Sequence, residues 1–242
     1  MAEQARRTEL ATSLAGVRER IAHACAAAGR DPGEVALVAV TKTYPASDVV
    51  LLAGLGVTDV GENKDQEASA KAAAVAGAGA SVRWHFVGQL QRNKAKSVVR
   101  YADVVESVDS LRLAAALDAA ALKHRETPLD VLLQVSIDGD PARGGAVDSA
   151  ADPDQDLWRL ADAVAAAGGL RLRGLMAVAP RGWEPGRAFE RLAEIASRLR
   201  GSHPDATVLS AGMSGDLEEA VRHGATHVRI GTSLLGMRNP LR

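Results

Sequence analysis

The stretch Val35-Ala-Leu-Val-Ala-Val-Thr-Lys42 is a continuous apolar run that ends abruptly in a lysine. Pro32-Gly33 precedes it and Thr43-Tyr-Pro45 follows it, and these boundaries predict a buried parallel strand. Because ligands of α/β folds bind at the carboxyl ends of parallel strands, we expect Lys42 to face a binding crevice. Partial desolvation there would favour the neutral amine, which attacks carbonyl groups. The alternative is a lysine whose side chain extends from the strand end to solvent.

Strand-like and helical segments alternate along the rest of the chain. An amphipathic helix is predicted from Glu3 to about Ala28, before the first strand. The further predicted strands are Val57–Val60, Trp84–Gly88, Asp103–Ser107, Asp130–Ile137, Leu170–Val178, Thr207–Ser210 and His227–Ile230. The helices between them are predicted at Ala46–Leu55, Lys64–Val75, Gln89–Arg100, Ser110–Lys123, Asp154–Ala167, Pro185–Leu199 and Asp216–Arg222, with Ser110 as a cap.

Eight strands alternating with helices in 242 residues predict an α/β fold, a single (β/α)8 TIM barrel with an extra N-terminal helix. No linker interrupts the pattern, so residues 1–242 are expected to form one domain. Only twelve residues follow Ile230, too few for a full-length last helix. We therefore expect the N-terminal helix to cover that gap.

The overall composition excludes several classes of partner. The formal net charge is −1, 24% of the residues are charged without a basic block, and 3% are aromatic, so we expect no nucleic-acid partner. A single cysteine, Cys25, rules out an intramolecular disulfide and favours a cytoplasmic protein. No signal-like N-terminus and no apolar run near the roughly 18 residues of a membrane span are present, so we expect no membrane association.

Two segments rich in glycine and hydroxyl groups, Ser210–Asp216 and Arg229–Thr232, follow the last two predicted strands. The loops after strands seven and eight of such barrels frequently bind phosphate through backbone N–H groups and hydroxyls. Ordinary turn and capping chemistry explains either segment alone, but explains less well why both occur at neighbouring strands. Polar residues also follow the second strand, at Glu62 and Asn63.

A phosphate site beside a nucleophilic lysine suggests a phosphorylated aldehyde. Pyridoxal 5′-phosphate (PLP) meets that description, with Lys42 as the Schiff-base amine. Arg229 lies two residues before Gly231 on the same face of the last strand and could reach the pyridine nitrogen. An arginine there disfavours protonation of the ring and weakens the cofactor as an electron sink. A sugar phosphate with Lys42 as an aldolase-type amine is a further alternative.

Several motifs together resemble the pyridoxal phosphate homeostasis proteins, single-domain barrels related to the N-terminal domain of alanine racemase. The resemblance runs from about residue 10 to the C-terminus through Thr41-Lys42, Gly61-Glu-Asn63, Trp84-His-Phe-Val-Gly88, Gln91-Arg-Asn-Lys94, Arg173-Gly-Leu-Met176, Gly212-Met-Ser214 and Arg229-Ile-Gly-Thr232. It implies the following cofactor-binding residues: Lys42 as the Schiff base, Arg229 at the ring nitrogen, Ser214, Gly231 and Thr232 at the phosphate, and Asn63 and Met213 beside the ring. Family members are thought to carry or buffer the cofactor and to influence vitamin B6 and amino-acid balance, with no established catalytic reaction.

Two positions depart from the family pattern. Lys64 follows Asn63 where the family often has tyrosine, which adds a second amine near the mouth. Arg143 precedes Gly144 where a lysine is usual, so the positive charge is kept and a reactive amine is lost. These departures put in doubt any hand-over of the cofactor that relies on a secondary lysine.

The favoured function is therefore a PLP-binding module, and the alternative is a racemase-like enzyme. Racemisation needs acid-base groups on both faces of the bound substrate, and the second is usually a tyrosine from a partner domain. The chain has two tyrosines, Tyr44 and Tyr101, and no second domain is expected after the barrel. Expected partners are PLP, free amino acids and apo PLP enzymes, and the protein is expected to be a monomer or a weak dimer.

Overall fold

Eight parallel strands close into one barrel in the computed structural model, which describes residues 1–140 and 143–236. The strands are β1 Ala36–Val40, β2 Asp59–Glu62, β3 Arg83–Phe86, β4 Val104–Val108, β5 Leu129–Val135, β6 Leu170–Ala177, β7 Val208–Ser210 and β8 His227–Ile230. They are arranged in chain order, and β8 pairs with β1 through the register Val38 to Arg229. The predicted domain includes residues 141–142 and 237–242, which lie outside the described residues.

Helices alternate with the strands, as predicted. They are α1 Ala2–Ala27, α2 Ala46–Gly54, α3 Asp65–Gly77, α4 Ala95–Val98, α5 Leu111–His124, α6 Leu157–Ala166, α7 Pro185–Ser202, α8 Leu217–Arg222 and α9 Thr232–Leu235. Short 3-10 turns occur at Pro32–Glu34, Arg92–Lys94 and Pro153–Gln155. The prediction of an α/β barrel with an extra N-terminal helix is therefore confirmed.

The N-terminal helix α1 covers the seam where the barrel closes. Its apolar residues Leu10, Leu14, Val17 and Ile21 are all 5% exposed or less. They belong to one buried cluster with residues of β8, α8 and α9. The apolar stripe of α1 thus takes the place of a full-length eighth helix, because α9 has only four residues.

Two predicted helices differ from the observed ones in start or length. The helix predicted at Gln89–Arg100 is instead a 3-10 turn followed by the short α4, and Arg125 Nη1 donates to the carbonyls of Val99 and Ala102 just beyond its end, 2.9 Å away in each case. The helix predicted from Asp154 starts three residues later, where the side chain of Asp156 caps the first turn. Ser110 occupies the cap position of α5 but makes no side-chain cap bond.

Polar side chains on the inward-facing side of the strands lie in the barrel interior. Glu106 on β4 contacts Ser210 on β7, and these strands are not neighbours in the sheet, so both side chains cross the barrel interior. Val104, two residues before Glu106, shares that face and forms a small apolar cluster with Leu132 and Met176. The larger apolar cores lie between the strands and the surrounding helices.

Candidate functional site

Lys42 lies beyond the carboxyl end of β1, in a turn. The strand ends at Val40, and the chain turns where the N–H of Tyr44 donates to the carbonyl of Thr41 (3.1 Å). Lys42 is exposed, so the expected partial desolvation by the buried strand is wrong. Its Nζ forms no hydrogen bond or ion pair with any residue that the structure describes. The amine is therefore free to reach a ligand at this end of the barrel.

The loop after β2 is held close to the loop after β3. A Cβ atom at Gly88 would lie 2.3 Å from the backbone oxygen of Asn63, so only glycine allows this approach. Asn63 is half-buried at the same end of the barrel as Lys42, because β1 and β2 are parallel neighbours. Lys64 follows it as an exposed residue at the start of α3. The predicted second amine is thus present at this mouth.

The loops after β7 and β8 meet through their hydroxyl groups. Thr232 Oγ1 donates to Ser214 Oγ at 3.4 Å. Gly212 has a φ of +90°, and a Cβ there would lie 2.6 Å from Ala220, so the turn after β7 requires glycine. Gly231 packs its backbone against the end of β1, where a Cβ would lie 3.4 Å from the carbonyl of Val40. The structure thus brings the two predicted phosphate loops together, next to the strand that leads to Lys42.

Arg229 is buried and points into the barrel. Its Nη1 donates to Ser210 Oγ and its Nη2 to the carbonyl of Ala177, each at 2.8 Å. Glu106 Oε2 lies 3.9 Å from Nη1 and accepts a hydrogen bond from Ser210 Oγ at 2.6 Å. Three contacts therefore fix the guanidinium before any ligand binds.

Arg229 belongs to a chain of buried polar groups that we call the inner cluster: Asp59, His85, Glu106, Ser210 and Arg229. His85 Nδ1 bonds to Glu106 Oε1 at 2.6 Å and its Nε2 to Asp59 Oδ1 at 2.9 Å. Burial alone would raise the pKa of Glu106, but His85 and Arg229 lower it to about 2. Burial would lower the pKa of His85, but the two carboxylates raise it to about 9. Burial lowers the pKa of Arg229, and the charge of Glu106 opposes this.

Sequence reasoning found Arg229 but missed His85 and Glu106. A signal was available, because Glu106 is the one charged residue of β4 and His85 is flanked by the apolar Trp84 and Phe86. A buried strand with one such residue implies a partner across the barrel, since unpaired buried charges are costly.

A second buried group, which we call the outer cluster, consists of Thr41, Glu62, Glu67 and Lys71. Lys71 Nζ on α3 contacts Glu62 Oε1 at 2.5 Å and Glu67 Oε1 at 3.1 Å. Glu62 Oε1 also accepts from Thr41 Oγ1 at 2.6 Å. The expectation that Glu62 serves the mouth as a strand-end group is therefore wrong, since its side chain faces the helix layer. Lys71 was not predicted, because helical spacing alone places it on a surface helix.

Met213 and Arg143 line a cavity of about 410 Å³ at the carboxyl ends of β5 and β6. Met213 is 39% exposed in the loop after β7. Arg143 Nη1 pairs with Asp138 Oδ2 at 3.2 Å, and its Nη2 donates to the carbonyl of Ala179 at 3.3 Å. Met213 therefore belongs to the first predicted phosphate loop and also lines this cavity.

Metal-binding clusters and membrane-spanning helices can be assessed for residues 1–140 and 143–236. Within these ranges no group of three or more histidine, cysteine, aspartate or glutamate side chains is arranged to hold a metal ion. No helix in the same part of the chain is long and apolar enough to cross a membrane.

Comparison with known proteins places the chain in a family. The profile of the alanine racemase N-terminal domain matches residues 12–239. A protein of Mycobacterium tuberculosis named pyridoxal phosphate homeostasis protein is 49% identical over 246 residues, covering 96% of this chain and 94% of its own length. A corresponding protein of Escherichia coli K12 with the same name is 37% identical over 96% of this chain.

Among solved structures, PipY of Synechococcus elongatus with PLP bound is 32% identical, with a TM-score of 0.75, covering 94% of this chain and 100% of its own. Both the family profile and the relatives extend over nearly the whole chain. The chain therefore belongs to the alanine racemase N-terminal domain family and to the pyridoxal phosphate homeostasis proteins.

Proposed function

We propose that this protein binds pyridoxal 5′-phosphate through Lys42 and takes part in intracellular PLP (vitamin B6) homeostasis. The observation that carries the proposal is an exposed lysine amine, without a hydrogen-bond or ion-pair partner in the described part of the chain, at the same end of the barrel as two hydroxyl-bearing loops. The names of the relatives and the PLP in PipY support it.

The residues at this mouth fit the chemical groups of PLP. The hydroxyls of Ser214 and Thr232, 3.4 Å apart, and the backbone N–H groups at Gly231 would hold the phosphate. Asn63 and Met213 would line the ring. When bound, PLP supplies an aldehyde carbon that forms a bond to an amine with loss of water. Lys42 provides that amine.

Arg229 would face the ring nitrogen and favours a carrier over a catalyst. Its guanidinium is buried and held by Ser210 and Ala177, so it presents a fixed positive charge. A cation there disfavours a second positive charge on the ring nitrogen. The cofactor then withdraws electrons less strongly than it does beside a carboxylate.

Both tyrosines are poorly suited to act as the second base of a racemase. The hydroxyl of Tyr44 donates to the carbonyl of Gly236 at 2.6 Å. Burial, together with the charge of Asp65, raises the pKa of Tyr101 well above its usual range. These positions support our proposal that the protein is not a racemase-like enzyme.

We also propose the wider setting of the site. The exposure of Lys42 supports access by free amino acids, and apo PLP enzymes are the proposed recipients of the cofactor. We further propose that residues 1–242 act as one domain. The protein is proposed to be a monomer or a weak dimer and to lie in the cytoplasm. The single cysteine, Cys25, supports the cytoplasmic location.

The test is an absorption spectrum of the purified protein with added PLP, beside Lys42→Ala and the matched control Lys64→Ala. The wild type and the control are expected to show a cofactor band that borohydride fixes to a peptide containing Lys42. Lys42→Ala is expected to lose the fixed adduct. A wild-type protein without a band, or an adduct on Lys64, would contradict the proposal.

A further inference from the structure

We propose that Glu67 and Lys71 are positioning residues for Lys42: from α3 they hold the backbone on either side of it and so fix the direction in which its amine projects. The inference rests on the proposed function, because Lys42 is taken as the residue that bonds the cofactor. Neither side chain touches the predicted phosphate loops, so their effect is specific to the lysine.

The contacts lie on the two residues that flank Lys42. Lys71 Nζ donates to the carbonyl of Thr41 at 2.8 Å. Glu67 Oε1 accepts from the N–H of Thr43. Lys71 and Glu67 contact each other at 3.1 Å, since they are four residues apart on one face of α3. The turn that carries Lys42 is thus held at both ends by one helix.

The turn needs such support because its backbone is unfavourable. Thr43 has a φ of 69°, a left-handed conformation that β-branched residues rarely adopt. A residue of this kind persists only where surrounding contacts hold it in place. The hydrogen bond from Thr43 N–H to a carboxylate provides that contact. Since Lys42 Nζ has no hydrogen bond or ion pair with a described residue, the backbone of the turn sets the direction of its side chain.

The support itself is rigid. The side chains of Lys71 and Glu62 are 4% and 1% exposed, and each charge is buried against the other. Glu62 also binds Thr41 Oγ1, which ties the start of the turn to β2. A buried charge pair with these partners has little freedom to move. Through the outer cluster, the position of Lys42 is therefore fixed relative to α3 and β2.

Positioning matters for bond formation between an amine and a carbonyl carbon. A displacement of about 1 Å in a reacting group costs up to about a hundredfold in rate. Loss of the contacts to Thr41 or Thr43 is expected to leave the phosphate loops intact while Lys42 samples unproductive directions. The variants are therefore expected to slow covalent capture of the cofactor by Lys42 while its non-covalent affinity stays nearly the same.

The variants are Glu67→Ala, Glu67→Gln and Lys71→Met, with the exposed neighbour Gln66→Ala as the matched control. Glu67→Ala removes the acceptor, whereas Glu67→Gln keeps one. Lys71→Met leaves Glu62 unpaired and tests the other end of the turn. Since Glu67 is 28% exposed, its variants are expected to fold even where Lys71→Met does not.

Three measurements are made on the full chain. The first is the rate at which added PLP is fixed to Lys42, and the second is the affinity for pyridoxine 5′-phosphate, an alcohol that cannot bond to the lysine. The third is hydrogen exchange at the Thr43 amide, which reports the contact to Glu67 without any ligand.

We expect Glu67→Ala and Lys71→Met to slow capture by about tenfold or more while the affinity for the alcohol stays within about twofold. Thr43 exchange is expected to accelerate in Glu67→Ala, and Glu67→Gln and Gln66→Ala are expected to behave as wild type. Capture at the wild-type rate in Glu67→Ala, or an equal loss of affinity for the alcohol, would overturn the inference. A wild type that captures no PLP on Lys42 would instead overturn the proposed function, and the exchange measurement would still report the contact.

Discussion

The inner and outer clusters are both largely buried and both ionic, yet Glu106 and Glu62 differ in how their hydrogen-bond partners are divided between the two carboxylate oxygens. In the inner cluster each oxygen of Glu106 has a hydrogen bond, one to His85 and one to Ser210, both at 2.6 Å. In the outer cluster Glu62 Oε1 takes two donors, while Glu62 Oε2 has no hydrogen-bond partner among the described residues.

The two carboxylates consequently respond to burial in opposite directions. The pKa of Glu106 is lowered to about 2 because its neighbours outweigh burial. The pKa of Glu62 is raised because burial outweighs its contacts with Lys71 and Thr41. Burial alone therefore does not decide ionisation: Glu106 faces two cationic groups, His85 and Arg229, whereas Glu62 faces one, Lys71, together with the like charge of Glu67.

The largest expected effect is that of Glu106→Gln. The variant leaves His85 and Arg229 buried without their shared counter-charge, and breaking such a group costs about 3–5 kcal/mol of the free energy of unfolding. Urea denaturation measures this loss. The matched control is Glu218→Gln, which removes an exposed ion pair with Arg20 and is expected to cost under about 1 kcal/mol. A similar loss in both variants would show that the inner cluster adds nothing beyond a surface pair.

The next effect is a pH dependence that belongs to the inner cluster. The pKa of His85 rises from 6.5 to about 9 on folding, so the protonated imidazole stabilises the native state. This contribution is fully present below pH 6.5 and is lost as the pH rises through 9. We expect the free energy of unfolding to fall by about 3 kcal/mol across this window.

Denaturation at pH 6.5 and above pH 9 measures the loss, and an NMR titration of the His85 ring checks its assignment. The variant His85→Gln is expected to remove the slope in this window. A ring that titrates near its ordinary value in the folded protein would contradict the prediction.

The smallest effect is expected for Glu62→Gln, the same chemical change made in the outer cluster. The amide keeps an acceptor for Thr41, Lys71 keeps its contact with Glu67, and the cost of burying the Glu62 charge disappears. We expect a change of about 1 kcal/mol or less. A loss as large as that of Glu106→Gln, measured in the same urea series, would remove the distinction between the clusters.

Most of the architecture could be predicted from the sequence, because strand and helix periods alternate clearly. The eighth strand was predicted with its observed limits, His227–Ile230. The helix at Gln89–Arg100 could not be delimited in this way. Just beyond its end, Arg125 reaches back from beyond α5 to the carbonyls of Val99 and Ala102. Local composition does not contain such a contact.

The position of the candidate site could be predicted from the sequence. The exposure of its residues and the contacts that support them could be predicted less well. Lys42, Ser214 and Thr232 were placed at one end of the barrel because residue type and strand order suffice for that. The exposure of Lys42 agrees with the alternative prediction of a lysine that extends to solvent, and the sequence could not decide between the two because the outcome depends on where β1 stops and on the left-handed turn at Thr43. The support from Lys71 depends on how α3 packs, which periodicity does not encode.

The seam between β1 and β8 has a consequence for how the protein is made. Val38 and Arg229 pair across it although they come from opposite ends of the chain, and Lys42 and Thr232 follow those two strands. Contacts between such distant segments form late and slowly, because the loop they close is nearly the whole chain. A chain that is still emerging from the ribosome has Lys42 but does not yet have Thr232. Under the proposed function, a site that needs both Lys42 and Thr232 can form only after the barrel has closed.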